Sequence, residues 1–461
     1  MSVFLTIANK CSSLRICSNI LTAPVLVAPV ALQYASSKAI SSSGSLKSSR
    51  LDTTFVGLML YNGDMILGFK TELKLNNSQG NLLSKHAGTA RHAWNWGLGL
   101  TKQILDNNKS HPDAPCVANA SLSDKIKFPT AIDLHKWLVA LIKPSNPWYY
   151  EVSKCAPQYA LRQLREAWDR CFKKVAGVPR FKKKGRKDSF TLDGSIKVEH
   201  FKVRLPVIGW LKTYERLPQG VTPKSVTISR HADRWFISFK IEVEPINTPK
   251  AIECVGVDLG INTLATLSTK EEFKGAKSYK NYEKKLARLQ YLMRHKIVGS
   301  SNYKKAQLNI ARLHRKIANI RSDTLHKLTT YISKNHAVIG LEDLNVSGMM
   351  ASRKLAQAIG DMGFYEFRRQ LEYKCQLYGS RLVFVDRFYP SSKTCSNCGH
   401  IKDSLSLSQR VFKCDKCQFE CDRDLNASIN LEKAASSVVS ACGLDNADVS
   451  RMKQEENVSN C

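Results

Sequence analysis

The stretch CVGVDLGINTLATLST, residues 254–269, is the part of the sequence that decides the fold. Two apolar runs rich in β-branched residues flank Gly260, a pattern typical of adjacent strands joined by a tight turn. Asp258 stands at the end of the first run, so its carboxylate should project from a buried strand near a bend. A lone carboxylate in a core needs a partner, and a divalent cation is one. The alternative is that Asp258 caps the turn.

Two further acidic clusters repeat this arrangement. HAVIGLEDLNVSGMM, residues 336–350, is a short apolar strand that ends at Glu342, and CDRDLNA, residues 421–427, opens a helical run that contains Asp422 and Asp424. Acids at the ends of three buried elements can converge on a pair of Mg²⁺ or Mn²⁺ ions, which activate water and stabilise the leaving oxygen in phosphodiester hydrolysis. Together and in this order, the clusters indicate a nuclease.

Four of the 14 cysteines follow the pattern Cys-x2-Cys-x15-Cys-x2-Cys. This is zinc-ribbon spacing, in which two Cys-x2-Cys knuckles complete a tetrahedral thiolate site. A disulfide framework is typical of short, cysteine-dense secreted chains, so the pattern favours a reducing compartment. The ribbon ends seven residues before Asp424, so a structural metal would hold that acid in place. The predicted zinc ligands are Cys395, Cys398, Cys414 and Cys417.

The charge balance points to a polyanionic partner. The 461 residues include 70 Lys and Arg against 39 Asp and Glu, which gives a net charge of +31, while 43% of residues are hydrophobic. That apolar content supports several packed cores and excludes a wholly disordered basic tail. Nucleic acid is favoured over anionic membrane. The most apolar stretch, residues 20–34, contains two prolines and is shorter than the ~20 residues of a membrane span, so no membrane partner is expected.

One part of this charge lies in the basic segment, residues 170–187, which has nine Lys and Arg and no acid. Phe172 and Phe181 alternate with the cations, a composition suited to following a phosphate backbone while an aromatic ring packs or stacks. A solvated surface is the alternative. The candidate nucleic-acid-binding residues are Lys173, Lys174, Arg180, Lys182, Lys183, Lys184, Arg186 and Lys187.

Another part lies in a predicted basic helical pair, residues 280–334, with a break at Gly299. Its apolar residues recur every three to four positions, and residues 270–321 hold 15 cations against three acids. A coiled-coil dimer face is possible on this spacing, but a groove wall along nucleic acid fits the charge better. With the basic segment, the pair predicts a channel that leads to the three acids.

Four motifs, GVDLGINTLATLS, IGLEDLNVSGM, CSNCG…CDKC and DRDLNASIN, resemble in this order the TnpB (OrfB) proteins of insertion sequences, which are relatives of the type V CRISPR effector nucleases. TARHAWNWGL and GVPRFKKKGRKDSF extend the resemblance upstream, so that it covers about residues 65–435. The sequence departs from the family pattern at Gln418, where a Gly often follows the last zinc cysteine. Residues 1–64 have no counterpart in the family.

The resemblance implies an α/β multidomain fold. Its centre would be an RNase H-like (RuvC) nuclease core with a helical insertion and a zinc ribbon, preceded by a β-barrel wedge domain that carries a helical recognition block. The expected boundaries are an extension at 1–64, disordered or mis-assigned; the wedge at 65–80 and 176–250; the recognition block at 81–175; the RuvC-like core at 251–390, with the helical pair 280–334; the ribbon at 391–420; the last RuvC motif at 421–435; and a flexible tail at 436–461.

The resemblance also implies a function: a transposon-associated, RNA-guided DNA endonuclease. The family's catalytic, Mg²⁺-binding acids would fall on Asp258, Glu342 and Asp424, with Asp422 the second choice at the last position. The partners would be a guide RNA from the element's end and double-stranded target DNA. Zn²⁺ would be structural, and Mg²⁺ or Mn²⁺ catalytic.

Two other functions stay open on the sequence. One is a RuvC-like transposase that acts on DNA without a guide, and the other is a zinc-ribbon regulator whose acids are inactive. The expected location is the prokaryotic cytoplasm, in association with the nucleoid. Organelle targeting by residues 1–64 is the alternative, because a Ser-rich run follows their apolar stretch. The sequence leaves the oligomeric state open.

Overall fold

The chain is a mixed α/β protein that forms two compact units, one from residues 70–240 and one from residues 55–69 and 241–441. The predicted α/β class is thus confirmed. Of the helices that the structure describes, none combines the length and apolar character needed to cross a membrane. The computed structural model describes residues 55–61, 64–110, 116–117, 125–353, 355–406 and 408–441.

Three helices dominate the first unit. The first and third pack so closely that a Cβ added to Gly97 would lie 2.8 Å from a methyl group of Leu161. Trp94 and Trp168 are buried in the core of this unit. A capping box between Thr130 and Asp133 begins the second helix. The helices are α1 (Asn77–Ser110), α2 (Ala131–Trp137) and α3 (Cys155–Phe172), with a π-helical turn at Leu138–Ile142 and a 3₁₀ turn at Pro147–Glu151.

Eight strands form one sheet: β1 (Phe55–Tyr61), β2 (Asp64–Lys74), β5 (Ser189–Asp193), β6 (Lys197–Glu199), β7 (Lys202–Leu205), β8 (Gly209–Thr213), β9 (Ser225–His231) and β10 (Arg234–Val243); a separate short pair is β3 (Cys116–Val117) with β4 (Lys125–Ile126). The order in the sheet is β5-β9-β10-β2-β8-β7-β6, with β1 on β2. Strands β9 and β10 form an antiparallel hairpin, and Ala232 in its turn has a φ of 58°.

The predicted extension at 1–64 needs correction at its end. Residues 55–61 form β1, which pairs antiparallel with β2, so regular structure begins before Met65. The run FVGLMLY does not alternate between apolar and polar residues, so its sequence does not predict a half-buried strand. It forms a strand because β2 pairs with it across a turn. Residues 1–54 lie outside the described residues.

The second unit is built on a five-stranded sheet of order β13-β12-β11-β14-β15. Strands β11, β14 and β15 are parallel, whereas β12 and β13 return antiparallel beside β11. The motif 254–269 is therefore two adjacent strands with a turn, as predicted. The strands are β11 (Ile252–Asp258), β12 (Ala265–Leu267), β13 (Glu272–Phe273), β14 (His336–Glu342) and β15 (Arg381–Val385).

The predicted basic helical pair is present as α4 and α5. Ser300 caps α5 by accepting a hydrogen bond from the backbone N–H of Tyr303, so α5 begins directly after the predicted break at Gly299. Leu286 of α4 packs against Leu313 and Ile317 of α5. The helices of this unit up to residue 378 are α4 (Ser278–Arg294), α5 (Ser301–Asn335), α6 (Val346–Ala351), α7 (Ala356–Met362) and α8 (Phe364–Tyr378).

The C-terminal part contains a short hairpin and a final helix. The hairpin joins β16 (Val411–Lys413) to β17 (Glu420–Asp422), and α9 (Arg423–Ala441) follows at once. The flexible tail predicted from residue 436 starts too early, because α9 continues to Ala441. Its last six residues, SSVVSA, are mostly Ser and Val, whose helix propensity is only moderate, so the local sequence does not mark where the helix ends. Residues 442–461 lie outside the described part of the chain.

Candidate active site and zinc site

Two of the predicted catalytic acids end neighbouring parallel strands. Asp258 is the last residue of β11 and Glu342 the last of β14. The strands pair in register, with Val257 opposite Leu341, so the two carboxylates leave the sheet side by side at the same edge. Both side chains are partly buried.

The third acid, Asp424, lies on α9, which packs against β11 at Gly256 and against β14 at Gly340. A Cβ on Gly256 would lie 1.9 Å from the carbonyl oxygen of Ser428, and one on Gly340 would lie 2.6 Å from that of Leu431. Only glycine permits this approach. The first turn of α9 then carries Asp424, whose Oδ2 lies 4.0 Å from the Cβ position of Gly260. The structure therefore brings the three predicted acids to one edge of the sheet.

The electrostatics of this edge reflect crowded negative charge. Burial raises the pKa of Asp258 to about 7, with further contributions from Asp424 and Glu342. Burial also raises the pKa of Glu342, with Asp343 adding to it, and that of Asp424, with Asp422 adding to it. Neighbouring carboxylates with raised pKa values suit a divalent cation, which would replace mutual repulsion with attraction. Among the described residues, the group whose ligand atoms already lie at metal-binding separation consists of four cysteines and does not include these acids. A cation at the sheet edge would therefore have to draw the oxygens of the three carboxylates closer together.

Asp422, the second choice for the last acid, is engaged elsewhere. Its Oδ1 accepts the backbone N–H groups of Asp424 at 2.8 Å and Leu425 at 3.1 Å, so it caps the N-terminus of α9. Asp424 instead has Arg410 Nη1 at 3.9 Å from its Oδ2. This cap fixes the helix turn on which Asp424 sits.

Sequence reasoning missed two arginines that hold Asp343, the residue next to Glu342. Asp343 receives hydrogen bonds from Arg368 and from Arg387, whose Nη2 lies 2.6 Å from Asp343 Oδ2. The Arg368 guanidinium also lies 4.0 Å from the ring centroid of Phe384. These ion pairs lower the pKa of Asp343. The position of Asp343 directly after Glu342 was the available signal, but its partners come from α8 and from beyond β15.

The predicted zinc ligands converge. All four Sγ atoms lie within 4.8 Å of one another, with 3.6 Å between Cys395 and Cys417 and 3.6 Å between Cys398 and Cys414. A disulfide would require about 2.05 Å, whereas tetrahedral zinc with Zn–S bonds of about 2.3 Å separates its sulfurs by roughly 3.8 Å. The backbone N–H of Phe419 lowers the pKa of Cys417 to about 6, which favours the thiolate that a metal binds.

The two knuckles turn through left-handed residues after their second cysteines. Gly399 has a φ of 74°, and Gln418, the departure from the family pattern, has a φ of 60°. A side chain in this region costs roughly 1–2 kcal/mol relative to glycine. The second knuckle thus carries strain that the first avoids.

Three side chains of α9 hold the first knuckle. Asn426 accepts the N–H of Ser396 at 2.9 Å and donates to the carbonyl oxygen of Thr394 at 2.7 Å. Asn430 donates to the same oxygen at 2.7 Å, and Lys433 donates to the carbonyl oxygen of Ser396. The cysteine cluster and Asp424 are therefore attached to the same helix. The spacing i, i+4, i+7 was the sequence signal, because it aligns these residues on one helix face.

Seven of the eight cations predicted to bind nucleic acid are exposed in the basic segment. Lys182 differs, because its Nζ lies 3.9 Å from the ring centroid of Trp94 and burial lowers its pKa to about 8. Phe172 stacks on Trp168 with ring centroids 5.6 Å apart, so it belongs to the aromatic packing of α3. Phe181 remains 53% exposed.

Three family models match the chain in order. Residues 65–110 match a helix-turn-helix domain of OrfB (IS605), residues 238–353 match OrfB (IS605), described as "Probable transposase", and residues 364–431 match the Cas12f1-like TNB domain. "Putative RNA-guided DNA endonuclease InsQ" of Escherichia coli K12 is 35% identical over 81% of this chain and 93% of its own length. The chain belongs to the TnpB/OrfB family. The resemblance predicted from the sequence motifs is thereby confirmed.

Other relatives of this TnpB/OrfB chain are consistent with that membership. "Putative RNA-guided DNA endonuclease" of Streptomyces pristinaespiralis is 40% identical over 64% of this chain and 74% of its own length. "CRISPR-associated endodeoxyribonuclease Cas12f1" of Sulfoacidibacillus thermotolerans is 26% identical over 47% of this chain and 55% of its own length. The TnpB/OrfB relatives thus match over most of their length, whereas the Cas12f1 match is partial.

Proposed function

We propose that this TnpB/OrfB protein is an RNA-guided DNA endonuclease carried by a transposable element. The observation that carries the proposal is the convergence of Asp258, Glu342 and Asp424 at one sheet edge, where their proximity and burial raise the pKa of Asp258 to about 7. Such crowding is costly in a site without function and useful in one that binds cations. The guidance by RNA rests on the names of the relatives that match most of this chain.

The three carboxylates would hold Mg²⁺ or Mn²⁺. When bound, this metal supplies an activated water and stabilises the leaving oxygen of the phosphodiester. Asp258 and Glu342 would fix two sides of the site from adjacent strand ends, and Asp424 would close it from α9. The carboxylates fit this role because oxygen donors are the ligands that Mg²⁺ prefers.

The cysteine cluster would hold a structural Zn²⁺. Asn426 and Asn430 connect the first knuckle to α9, so zinc occupancy would stabilise the helix turn that carries Asp424. Catalysis would then depend on zinc indirectly, through the position of one acid. The convergence of the four Sγ atoms within 4.8 Å of one another supports this assignment.

The nucleic acids would lie along the two basic surfaces. The exposed cations of residues 170–187, together with α4 and α5, would bind the phosphates of a guide RNA and its target DNA. In domain terms, we propose a RuvC-like core at 251–390, a ribbon at 391–420 and a final RuvC motif from 421. A wedge at 65–80 and 176–250 would flank the recognition block at 81–175.

Purification with the copurifying RNA, followed by sequencing of that RNA, tests the function most directly. An RNA that matches the flank of the gene itself, and cutting of DNA matched to that RNA only with Mg²⁺ or Mn²⁺, is the expected result. Asp258→Asn should bind the same RNA but fail to cut. Asp106→Asn, at an exposed carboxylate of α1 that lies 3.9 Å from Lys109 Nζ, is the matched control and should cut normally.

Two outcomes would contradict the proposal. Cutting that ignores RNA and follows DNA junctions would make the protein a nuclease that acts on DNA without a guide. Full cutting by Asp258→Asn would show that the reaction does not need this carboxylate, and would contradict the proposed three-acid site.

A further inference from the structure

The basic segment is fixed to the first unit by side chains of α1. The indole Nε1 of Trp94 donates to the carbonyl oxygen of Arg180 at 3.0 Å. Asn95 donates to the carbonyl oxygen of Lys182 at 2.9 Å and accepts its N–H at 2.8 Å. A side-chain amide that pairs with both backbone groups of one residue holds that residue in one orientation.

A second attachment lies at the end of the segment. Arg91, one helix turn before Asn95, places Nη1 2.9 Å from Oδ1 of Asp188. Asp188 in turn accepts the N–H of Gly185 at 3.2 Å. Because both ends of this loop are held, its side chains pay little ordering entropy when a ligand binds.

Arg180 and Phe181, at the start of this held loop, line a cavity of about 550 Å³ together with the residues just before them. Phe181 lies in that wall with 53% of its surface exposed, and Lys102 Nζ is 5.1 Å from its ring centroid. The volume falls within the range of small-ligand pockets, roughly 300–1,000 Å³. The cavity is lined by Lys102, Gly177, Val178, Pro179, Arg180 and Phe181.

The lining has the chemistry of a nucleotide site. Phe181 and Val178 offer an aromatic and an apolar surface, Lys102 and Arg180 supply two cations, and no carboxylate belongs to the lining. A base can stack on an aromatic ring whatever its identity, while cations bind the adjoining phosphate. A base within a duplex is stacked on both faces and cannot offer one to the ring.

We propose that this cavity binds one unpaired nucleotide of a nucleic-acid strand, with its base against Phe181 and its phosphate at Lys102 and Arg180. Lys182, packed on Trp94, then anchors the loop, and the exposed cations around it contact the neighbouring phosphates. The proposal deepens the nucleic-acid binding proposed above and rests on it.

The test uses the full chain and two synthetic probes, an oligouridylate and an oligothymidylate of about 12 nucleotides, each with one central 2-aminopurine. Stacking on Phe181 should quench the fluorescence of the bound probe. Phe181→Leu should remove the quenching and weaken binding roughly 5- to 50-fold, whereas Phe181→Trp should preserve both. The matched control is Phe201→Leu, an aromatic of the same unit with 52% exposure, which should behave as the wild type.

A blunt DNA duplex of about 20 base pairs separates stacking from charge. Phe181→Leu should leave duplex binding within about twofold, while Lys183→Ala with Lys184→Ala should weaken duplex binding, reduce its salt dependence and keep the quenching. Quenching with only the RNA or only the DNA probe identifies which strand the cavity takes. Equal quenching and affinity for Phe181→Leu and wild type, or an equal loss for Phe201→Leu, would overturn the proposal.

These measurements do not depend on cutting. A wild-type protein that quenches through Phe181 but cuts no DNA supports the cavity and contradicts the endonuclease. A protein that cuts guided DNA but shows no Phe181-dependent quenching supports the endonuclease and contradicts the nucleotide-binding cavity.

Discussion

Arg387 holds Asp343 by two contacts, one from Nη2 to the carboxylate Oδ2 at 2.6 Å and one from Nε to the main-chain carbonyl oxygen at 3.0 Å. This geometry fixes both the side chain and the backbone of the residue that follows Glu342. The end of β14 is thereby held where it leaves the sheet. Arg387 should therefore act as a positioning residue for Glu342, because it holds the next residue along the chain.

We expect Arg387→Met to reduce guided cutting about tenfold and to raise the Mg²⁺ concentration needed for half-maximal rate, because a loosened Glu342 binds the ion less well. Arg387→Lys should recover part of the rate, since it keeps the charge but loses the two-point contact. Cutting rates over a Mg²⁺ series measure both effects. Lys202→Met, which removes a surface ion pair with Glu199, is the control, and an unchanged Mg²⁺ dependence in Arg387→Met would contradict the positioning role.

Gly256→Ala should destabilise the second unit by about 2–4 kcal/mol, because the added methyl group would meet the backbone of α9 at 1.9 Å. Helix α9 would have to move away from β11 and take Asp424 with it. Thermal unfolding and Mg²⁺-dependent cutting measure the loss. Gly99→Ala on α1, where no described atom lies within 4 Å of the new methyl group, should instead raise stability by about 0.5–1 kcal/mol.

Asp258→Asn should stabilise the protein in buffer freed of divalent cations, although it abolishes cutting. The pKa of Asp258 is raised to about 7 because burial and two neighbouring carboxylates disfavour its charged form. Removing that charge at about pH 8 should add roughly 1–3 kcal/mol. Melting temperatures after dialysis without chelator, which leaves zinc in place, measure the gain. Added Mg²⁺ should raise the melting temperature of the wild type, and an equal rise in the variant would argue against Asp258 as a ligand.

Asn426→Ala should accelerate zinc loss, because two hydrogen bonds to the first knuckle disappear. Loss of hydrogen bonds that orient a metal-binding loop typically costs roughly 10- to 100-fold in metal affinity. Competition with a chromophoric chelator measures the affinity. Asn309→Ala, an exposed position on α5, should leave it unchanged.

Gln418→Gly should stabilise the ribbon by about 1 kcal/mol, because glycine adopts a φ of 60° without the steric cost of a Cβ. Slower zinc release under the same chelator challenge is the expected result. Gln409→Gly, outside the left-handed region, serves as the control and should bring no gain. Faster release from Gln418→Gly would mean that the Gln418 side chain itself holds the knuckle.

The sequence predicted features that depend on local pattern. Alternation and a turn identified β11 and β12, helical periodicity identified α4 and α5, and Cys-x2-Cys spacing identified a cluster whose sulfurs do converge. Strand β1 was missed because its run is apolar throughout and gains its identity from a partner strand. The end of α9 was misjudged because a fading apolar pattern does not fix where a helix stops.

The sequence by itself predicted the family, the three candidate acids and the four candidate zinc ligands, because each is a residue type within a short local motif. Tertiary structure alone decided how these residues are held. Asp343 and Arg387 are 44 positions apart, and Trp94 and Arg180 are 86 apart, yet each pair is in contact. Such pairs form only when particular helices and strands pack together. That packing depends on close backbone contacts, such as the contact of α9 with Gly256, and the spacing of residues along the chain does not predict them.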